Sequence, residues 1–520
     1  MKHQPSRRNF LKVAAATGVG YWVAAGHTPR VSASPNERLG FAGIGVGAKM
    51  PGDVPNAGIG ERDIAAAARF GDIIALCDVD QRRLEAVGQR YPNAKRYTDY
   101  RQLFEEQEKS IDAAVISTPD HMHAPQALMA MRMKKHVYVQ KPLCRTLYEA
   151  QVMINVANEM GICSQMGNQG GANDGPRLEA EEIKAGVYGD VREIHVWTDR
   201  PGDANRTWWP NGPNVIRTMK QFEDNVRLVR PNEAEQLIAA MKQRRAEKYK
   251  DLDWDLWLGV AKYREFFPGE LDMHPQGFEQ GNIYHIFGWR NWWDFSTGPL
   301  GDMSCHLANH YMKALDLSTP TSVAAWTTGH DGDAMPSQAE VVFEYPDTPT
   351  RKGFKFVWYE GGRKPPQQLL LDHGIPESAI ARPSDSLLIG TDGVKAQGID
   401  RRKEGVVVPE VRYAPRYANP DGSIPANQNA IIRNVFEFIT AIKENKPELC
   451  YLNIQDLAGP FAIAQALGNL AIWVAPQPEE WGETIQWDAT SGHVTNVASL
   501  RTPGVAEMIK PIYPQGHRLD

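Results

Sequence analysis

Leu39-Gly40-Phe41-Ala42-Gly43-Ile44-Gly45-Val46-Gly47-Ala48-Lys49-Met50 (LGFAGIGVGAKM) is the stretch that decides the fold of this 520-residue chain. The run Leu39 to Ile44 is apolar and ends on Gly45-Val46-Gly47. A continuous apolar run closed by a turn marks a strand buried on both faces, as in a parallel sheet. Glycines at the end of such a strand let the backbone approach a pyrophosphate, and the following helix N-terminus favours its charge. The spacing Gly45-x-Gly47-x-x-Met50 lacks the third glycine of the fingerprint, whose task is close helix–strand packing, and Met50 is expected to pack there with the helix slightly displaced.

Further strands follow at GDIIALCDVD (Gly71 to Asp80), IDAAVISTP (Ile111 to Pro119) and HVYVQKP (His136 to Pro142). Helical patterns lie between them over 64–70, 81–90, 100–107 and 125–133. Alternating strand and helix predicts an α/β chain that opens with a doubly wound parallel sheet. An acid at the end of the second strand holds ribose hydroxyls, and Asp78 stands there. A carboxylate at that place disfavours a 2′-phosphate, so the expected cofactor is NAD rather than NADP. Asp78 lies further from Gly45 than the usual spacing of about 20 residues, and a loop over 51–60 is expected to absorb the excess.

The stretch Ser117 to Ile162 resembles the Gfo/Idh/MocA family of sugar-directed, nicotinamide-dependent oxidoreductases. The matching motifs are Thr118-Pro119-Asp120-His121-Met122-His123 and Gln140-Lys141-Pro142, then GDMSCHLANH (Gly301 to His310) and DSLLIGTDGVKAQG from Asp385. The likeness runs from Leu39 to Trp487, and Gln140 stands where the family has Glu, which removes a charge beside Lys141. The resemblance implies a Rossmann domain, placed here over 36–164, and a C-terminal α/β domain with a large open, mostly antiparallel sheet over 165–490. That second domain would line the substrate site and mediate a homo-oligomer. A tail covers 491–520. The resemblance also places Thr118, Pro119 and Lys141 at the cofactor, with Gly45, Gly47 and Asp78, and carries the catalytic positions onto Lys141, Asp302 and His306.

Asp302 and His306 are four residues apart and share one face of a helix. A carboxylate beside an imidazole can orient it and raise its basicity, and histidine can take an alcohol proton as hydride leaves carbon. Lys141 would stabilise negative charge developing on the same oxygen. His310 extends the face to Asp-x-x-x-His-x-x-x-His; it is read as a substrate-side residue, and the alternatives are a metal ligand or a structural histidine. No cysteine or further carboxylate motif completes a metal site, and none is expected. His121 and His123 end a strand, where either touches nicotinamide or substrate or else caps a turn; His123 is assigned to the cofactor.

Seven of the fourteen tryptophans lie between Trp208 and Trp293, in a Trp-rich insertion placed over 201–285 and just beyond it. Flat indoles suit sugar rings, and equally suit packing. YHIFGWRNWWDF (Tyr284 to Phe295) leads into the His306 motif, so His285, Trp289 and Arg290 are assigned to substrate. NRTWWPNGPNVIRTMKQFEDN (Asn205 to Asn225) reads as irregular chain.

At the other end, Ser6-Arg7-Arg8-Asn9-Phe10-Leu11-Lys12 precedes a short, glycine-broken apolar run and the small residues Val31-Ser32-Ala33. This is a twin-arginine export signal over 1–33, the type that moves folded cargo, and it implies a periplasmic or otherwise exported protein. Residues 1–33 carry five basic side chains (Lys2, Arg7, Arg8, Lys12, Arg30) and no acidic one, so of 57 basic and 63 acidic residues the remainder keeps 52 and 63, net −11. That balance argues against nucleic acid as a partner. Five scattered cysteines with no Cys-x-x-Cys pair fit folding in a reducing compartment.

These readings converge on a nicotinamide-dependent oxidoreductase acting on a sugar, polyol or glycoside hydroxyl, with a carbohydrate as its small-molecule partner. An exported enzyme meets no nicotinamide pool, so its cofactor would stay bound and be recycled internally. One alternative is a glycoside hydrolase or lyase working by transient oxidation, elimination and re-reduction. The other is a carbohydrate-binding protein with a vestigial cofactor site.

Overall fold

The computed structural model describes residues 38–50, 53, 58–201, 216–267, 284, 288–419, 421–514, 517 and 519. The twin-arginine stretch, His285, Trp208 and Trp209 lie outside the described residues.

The apolar run Leu39–Ile44 forms β1, buried at every position. Among the described residues it sits inside a six-stranded sheet with β2 (Gly71–Cys77), β3 (Lys95–Tyr97), β4 (Ala113–Ile116), β5 (His136–Gln140) and β6 (Ser164–Gly167), in the order β3-β2-β1-β4-β5-β6. Every pairing is parallel. β3 (KRY) and β6 (SQMG) are short and carry no apolar run, so periodicity does not reveal them. Asp80 and Asp99 cap the helices that follow β2 and β3 through the N–H groups of Arg82 and Arg101. Thr146 and Glu149 form a reciprocal capping box at the start of helix Leu147–Met160.

The helix after β1 begins at Ile59 and runs to Ala67. Residues 48–57 are therefore inserted between Gly47 and the helix, which accounts for the long spacing to Asp78. The third glycine is not missing; it is displaced. A Cβ on Gly60 would overlap the carbonyl oxygen of Gly45, so Gly60 allows the close helix–strand approach expected of that residue, and Met50 does not.

Among the described residues the second sheet has nine strands, in the order β13 (Ile399–Arg401), β12 (Val394–Ala396), β11 (Asp385–Gly390), β7 (Val191–Trp197), β10 (Phe354–Glu360), β9 (Ala339–Tyr345), β8 (Ser322–Thr327), β14 (Ile485–Asp488), β15 (His493–Val494). Its centre is β7, parallel to β10 and antiparallel to β11. β8 and β9 alternate buried and less buried residues, the signature of a sheet with two unlike faces. Helix Gly459–Trp473 packs on one face through Leu467 and Leu470, and Leu370 and Ile375 cover part of the other.

The stretch expected to be irregular up to Asn225 is helical from Met219 to Val229. Thr218 caps it through Gln221 N–H, and Met219, Phe222 and Val226 bury one face. Among the described residues no helix is long and apolar enough to cross a membrane. All five cysteines are free and buried.

Candidate active site

A cavity of about 480 Å³ runs along the carboxyl ends of the parallel strands, from Tyr100 at one end to Asp302 and His306 at the other. Gly45, Gly47, Asp78, Thr118, Pro119 and Lys141 line it from the Rossmann side, and Trp289, Arg290, Asp302 and His306 from the other. The crevice fits a dinucleotide. Gly45 holds φ +72°, and a Cβ there would lie 2.6 Å from Thr118 Cγ2, so only glycine keeps this wall open. Gly58, which precedes helix Ile59–Ala67, offers no side-chain cap, and Gly58, Ile59 and Gly60 face the cavity. The first-turn N–H groups are therefore available to an anion. Asp78 accepts from Gly47 N–H (2.8 Å) and Asp80 N–H (2.9 Å), one on each oxygen, which orients the carboxylate and leaves lone pairs for ribose hydroxyls. Burial lifts Asp78 to about 6 despite those two bonds.

At the other end the chemistry gathers on helix Gly298–Leu307. Its start is held from the Rossmann side. Asp120 Oδ2 accepts from Thr297 N–H and Thr297 Oγ1, both at 3.0 Å, and from Ser296 Oγ at 3.3 Å. From behind, Gln465 donates to Ser304 Oγ (2.9 Å) and Asn469 to the Thr297 carbonyl (2.9 Å). The sequence motif carried Asp120, but its capping role depends on Thr297, which is remote in the chain.

Asp302 does not turn to His306. Its Oδ1 accepts from Lys141 Nζ at 2.6 Å, its backbone carbonyl accepts from the same ammonium at 3.2 Å, and Arg200 Nη1 lies 3.4 Å from Oδ2. Arg290 Nε stands 3.8 Å from Oδ1. Burial alone would raise the Asp302 carboxyl; Lys141, Arg290 and Arg200 outweigh it and hold the group well below the usual carboxylate range. The expectation that Asp302 orients the imidazole is thus corrected: Asp302 fixes Lys141. His306 presents its ring to the open cavity, and the surrounding protein, then the Lys141 cation, keep it below its ordinary value. It is a neutral imidazole at neutral pH, ready to accept a proton.

Gln140, which replaces the expected Glu, accepts from the Lys141 backbone N–H through Oε1 (3.3 Å) and directs its amide nitrogen to the first helix. Its Nε2 donates to Asp63 Oδ2 at 2.7 Å, and Ser117 Oγ donates to the same oxygen at 2.8 Å. Asp63 is fully buried, and burial raises it to about 7 against those two bonds. A carboxyl is therefore present near this strand end, contributed by the first helix.

Two assigned residues do not line the cavity. His123 is buried behind the wall, with Nδ1 2.7 Å from the Pro142 carbonyl and Nε2 2.8 Å from the Thr118 carbonyl, bracing one motif loop against the other. His310 lies on the next helix, Asn309–Leu315, because Ala308 (φ −123°, ψ 1°) ends the first. The four-residue spacing from His306 no longer means a shared face, and His310 sits buried 3.5 Å from Glu179. His121, buried, approaches the Trp257 carbonyl at 3.1 Å. Among the described residues no group of three or more His, Cys, Asp or Glu is placed to hold a metal ion.

The tryptophans divide between packing and cavity. Trp254 stacks on Trp257 (4.6 Å, 8°), Tyr284 meets Trp292 edge-on, and together with Phe266 and Phe295 they build a separate aromatic core. Only Trp257 and Trp289 of the described tryptophans reach the cavity, and the Arg290 guanidinium lies 4.3 Å from the Trp289 ring centre. Arg200, just after β7, belongs to no sequence motif, and Trp257 is marked in the sequence only as one of the seven clustered tryptophans. A position at the carboxyl end of a central strand was the available signal for Arg200.

The profile "Oxidoreductase family, NAD-binding Rossmann fold" (Gfo/Idh/MocA) matches residues 42–168. "Glycosyl hydrolase family 109 protein 1" of Shewanella sp. (strain MR-4) is 30% identical over 208 residues, 36% of this chain and 45% of that protein. A "Glycosyl hydrolase family 109 protein" of Shewanella baltica (strain OS155 / ATCC BAA-1091) is 30% identical over 210 residues, with the same shares. The chain thus spans about half the length of the curated relatives it matches. Among solved structures, an inositol dehydrogenase homolog from Azotobacter vinelandii, complexed with NADH and myo-inositol, aligns with TM-score 0.48 at 14% identity, covering 87% of this chain and 98% of that one. Aldose-aldose oxidoreductase from Caulobacter crescentus, complexed with glycerol, aligns with TM-score 0.46 at 13% identity, covering 87% and 100%.

Proposed function

We propose, for a chain whose residues 42–168 match the NAD-binding Rossmann fold of the Gfo/Idh/MocA oxidoreductases, that it acts on a hydroxyl of a sugar, polyol or glycoside with a nicotinamide cofactor retained from one turnover to the next. The observation that carries this reading is the convergence of Lys141, Asp302 and His306 on the cavity that also contains the glycine crevice. The bound nicotinamide supplies the hydride acceptor. Gly45, Gly47 and the start of helix Ile59–Ala67 would hold its pyrophosphate, and Asp78 a ribose; the carboxylate favours NAD over NADP. Lys141, fixed by Asp302, donates to the reacting oxygen and stabilises its developing negative charge. His306 takes the hydroxyl proton as the C–H bond yields hydride, so proton and electron pair leave in opposite directions. Trp289 and Trp257 offer flat apolar faces to the ring, and Arg290 and Arg200 offer donors to its oxygens.

A second reading has its own support in the curated relatives named as family 109 glycosyl hydrolases. Oxidising a ring hydroxyl to a ketone acidifies the neighbouring C–H. A base then takes that proton, the glycosidic oxygen leaves, water adds to the alkene, and hydride returns to the carbonyl, with no net redox change. Incubation with aryl glycosides and free sugars separates the two. Aglycone release without accumulation of reduced cofactor supports cleavage; oxidised sugar with stoichiometric reduced cofactor, or reduction of a second carbonyl substrate, supports oxidoreduction. Inertness of NAD-loaded protein toward both panels would overturn the proposal in favour of a carbohydrate-binding role.

The same proposal includes export through Ser6 to Lys12 in folded, cofactor-loaded form, and assembly with further copies of the chain. Protein recovered from the periplasm with one nicotinamide per chain supports the first. A mass by light scattering that is a multiple of 58.0 kDa, less any cleaved signal, supports the second.

A further inference from the structure

The cavity does not end at Asp78. It continues past Thr98, Asp99 and Tyr100 to His517, a residue of the segment that follows helix Val505–Ile509. Thr98 to Tyr100 follow β3, the strand outside β2, whereas Thr118 and Lys141 follow β4 and β5 on the opposite side of β1. A dinucleotide whose ribose met Asp78 and whose reacting end met Lys141 would find Tyr100 and His517 at its adenine end.

The described residues on either side of His517 are tied down. Tyr513 donates its hydroxyl to Glu149 Oε1, the carboxylate of the capping box on helix Leu147–Met160. Leu519 is 2% exposed within the main core, and its carbonyl accepts from Arg132 Nη2. Between these anchors His517 is half-buried, its amide donating to the Pro514 carbonyl (3.2 Å) and its Nδ1 lying 3.4 Å from the Tyr100 hydroxyl. Burial raises Tyr100 to about 12, so it keeps its proton and donates it to Nδ1. Burial and then Arg101 lower His517, which stays neutral, so the proton it carries is on Nε2.

We infer that His517, set between the anchors at Tyr513 and Leu519, covers the adenosine end of the cofactor crevice and is a cofactor-contacting residue that slows release of the dinucleotide. The ring closes the aromatic wall begun by Tyr100, and Nε2–H offers a donor to an adenine nitrogen or ribose oxygen. The inference rests on the proposed cofactor and explains how it is retained: His517 stands at the adenosine end, and the described residues on either side of it are anchored, Tyr513 at Glu149 and Leu519 in the core and at Arg132.

The test compares wild type with His517→Ala and Arg132→Ala, each first checked for a cooperative melt. Loaded protein is held with charcoal as a trap, and bound nicotinamide is counted over time. Stripped protein is then titrated with AMP and, separately, with nicotinamide mononucleotide. A lost ring contact and hydrogen bond predict about tenfold faster release in His517→Ala. AMP should bind about tenfold more weakly and nicotinamide mononucleotide as before. Arg132→Ala, which frees the Leu519 end without touching the ligand, should speed release in the same direction. Wild-type release and AMP affinity in His517→Ala would overturn the inference. Wild type purified without nicotinamide removes the retained cofactor from the proposed function, yet the AMP titration still decides the role of His517.

Discussion

Replacing Asp302 by Asn tests the centre of the site with little change in shape. The Asp302 and Lys141 side chains are 7% and 15% exposed, so solvent screening relieves little of their attraction. The substitution removes the negative charge that faces Lys141, Arg200 and Arg290. Removing one partner of a buried ion pair costs about 3–5 kcal/mol, and the amide oxygen, still able to accept from Lys141, places this variant near the lower end. The pH dependence has a definite sign. Asp302 is depressed in the folded protein, so its contribution is fully present above the unfolded carboxylate value near 4 and is lost as pH falls through the folded one. Melting temperatures of wild type and Asp302→Asn, measured side by side from acid to neutral pH, should differ most above about pH 4 and converge below it. Turnover should fall by about 10²–10³, the size of losing one preorganised electrostatic group at a reacting oxygen. A constant melting gap across the acid range, or turnover within a few-fold of wild type, would refute the role given to Asp302.

Asp63→Asn should behave in the opposite sense. Asp63 is raised to about 7, so wild type loses stability as pH rises from about 4 through 7, and the variant should gain relative to it over that window and stay level above. Matched urea midpoints at pH 4 and pH 8 check this. His306→Ala should lower turnover by about 10²–10⁴ while shifting the melt little, because the ring faces the cavity; a single-turnover hydride assay beside a thermal scan separates the effects. Gly60→Ala forces a methyl against the Gly45 carbonyl and should cost about 1–3 kcal/mol of stability and most of the NAD affinity, read by calorimetry of unfolding and binding. Asp78→Ser removes the carboxylate that repels a 2′-phosphate, so the ratio of NADP to NAD affinity should rise by about tenfold or more in paired titrations.

What the sequence makes legible here is local. β1 ends at Ile44 as its apolar run dictates, and helix Tyr100–Gln107 has the limits its spacing predicts. Lys141, Asp302 and His306 line one cavity, as their motifs implied. The departures are of two physical kinds. One is a break in regularity: the insertion over 48–57 moves the third glycine to Gly60, and Ala308 ends a helix that the pattern would carry on to His310. The other is a choice among partners that local spacing cannot make. Asp302 has His306 one turn away, yet a cation offers it more than a neutral ring does, and it pairs with Lys141. His517 meets Tyr100 across a separation of 417 residues, beyond the reach of any periodic pattern.

The placing of Asp302 beside Lys141 requires two separately built halves to agree within a hydrogen-bond length. Lys141 belongs to the parallel sheet, at the end of β5; Asp302 belongs to a helix backed by Gln465 and Asn469 of the second half. The registration comes from Asp120. It stands in the first turn of the helix that follows β4, yet its carboxylate binds the Thr297 and Ser296 groups that start the Asp302 helix, and that helix has no side-chain cap of its own. Burial lifts Asp120 to about 6 while the Thr297 amide and the Arg290 cation draw it back, so at neutral pH it is mostly ionised and accepts from all three donors. A carboxylate from one half thus sets the start of the helix, and two turns of rigid helix carry that position to Asp302 and His306. The placement of Asp302 and His306 relative to Lys141 is therefore supported by Asp120 from outside the Lys141–Asp302 pair.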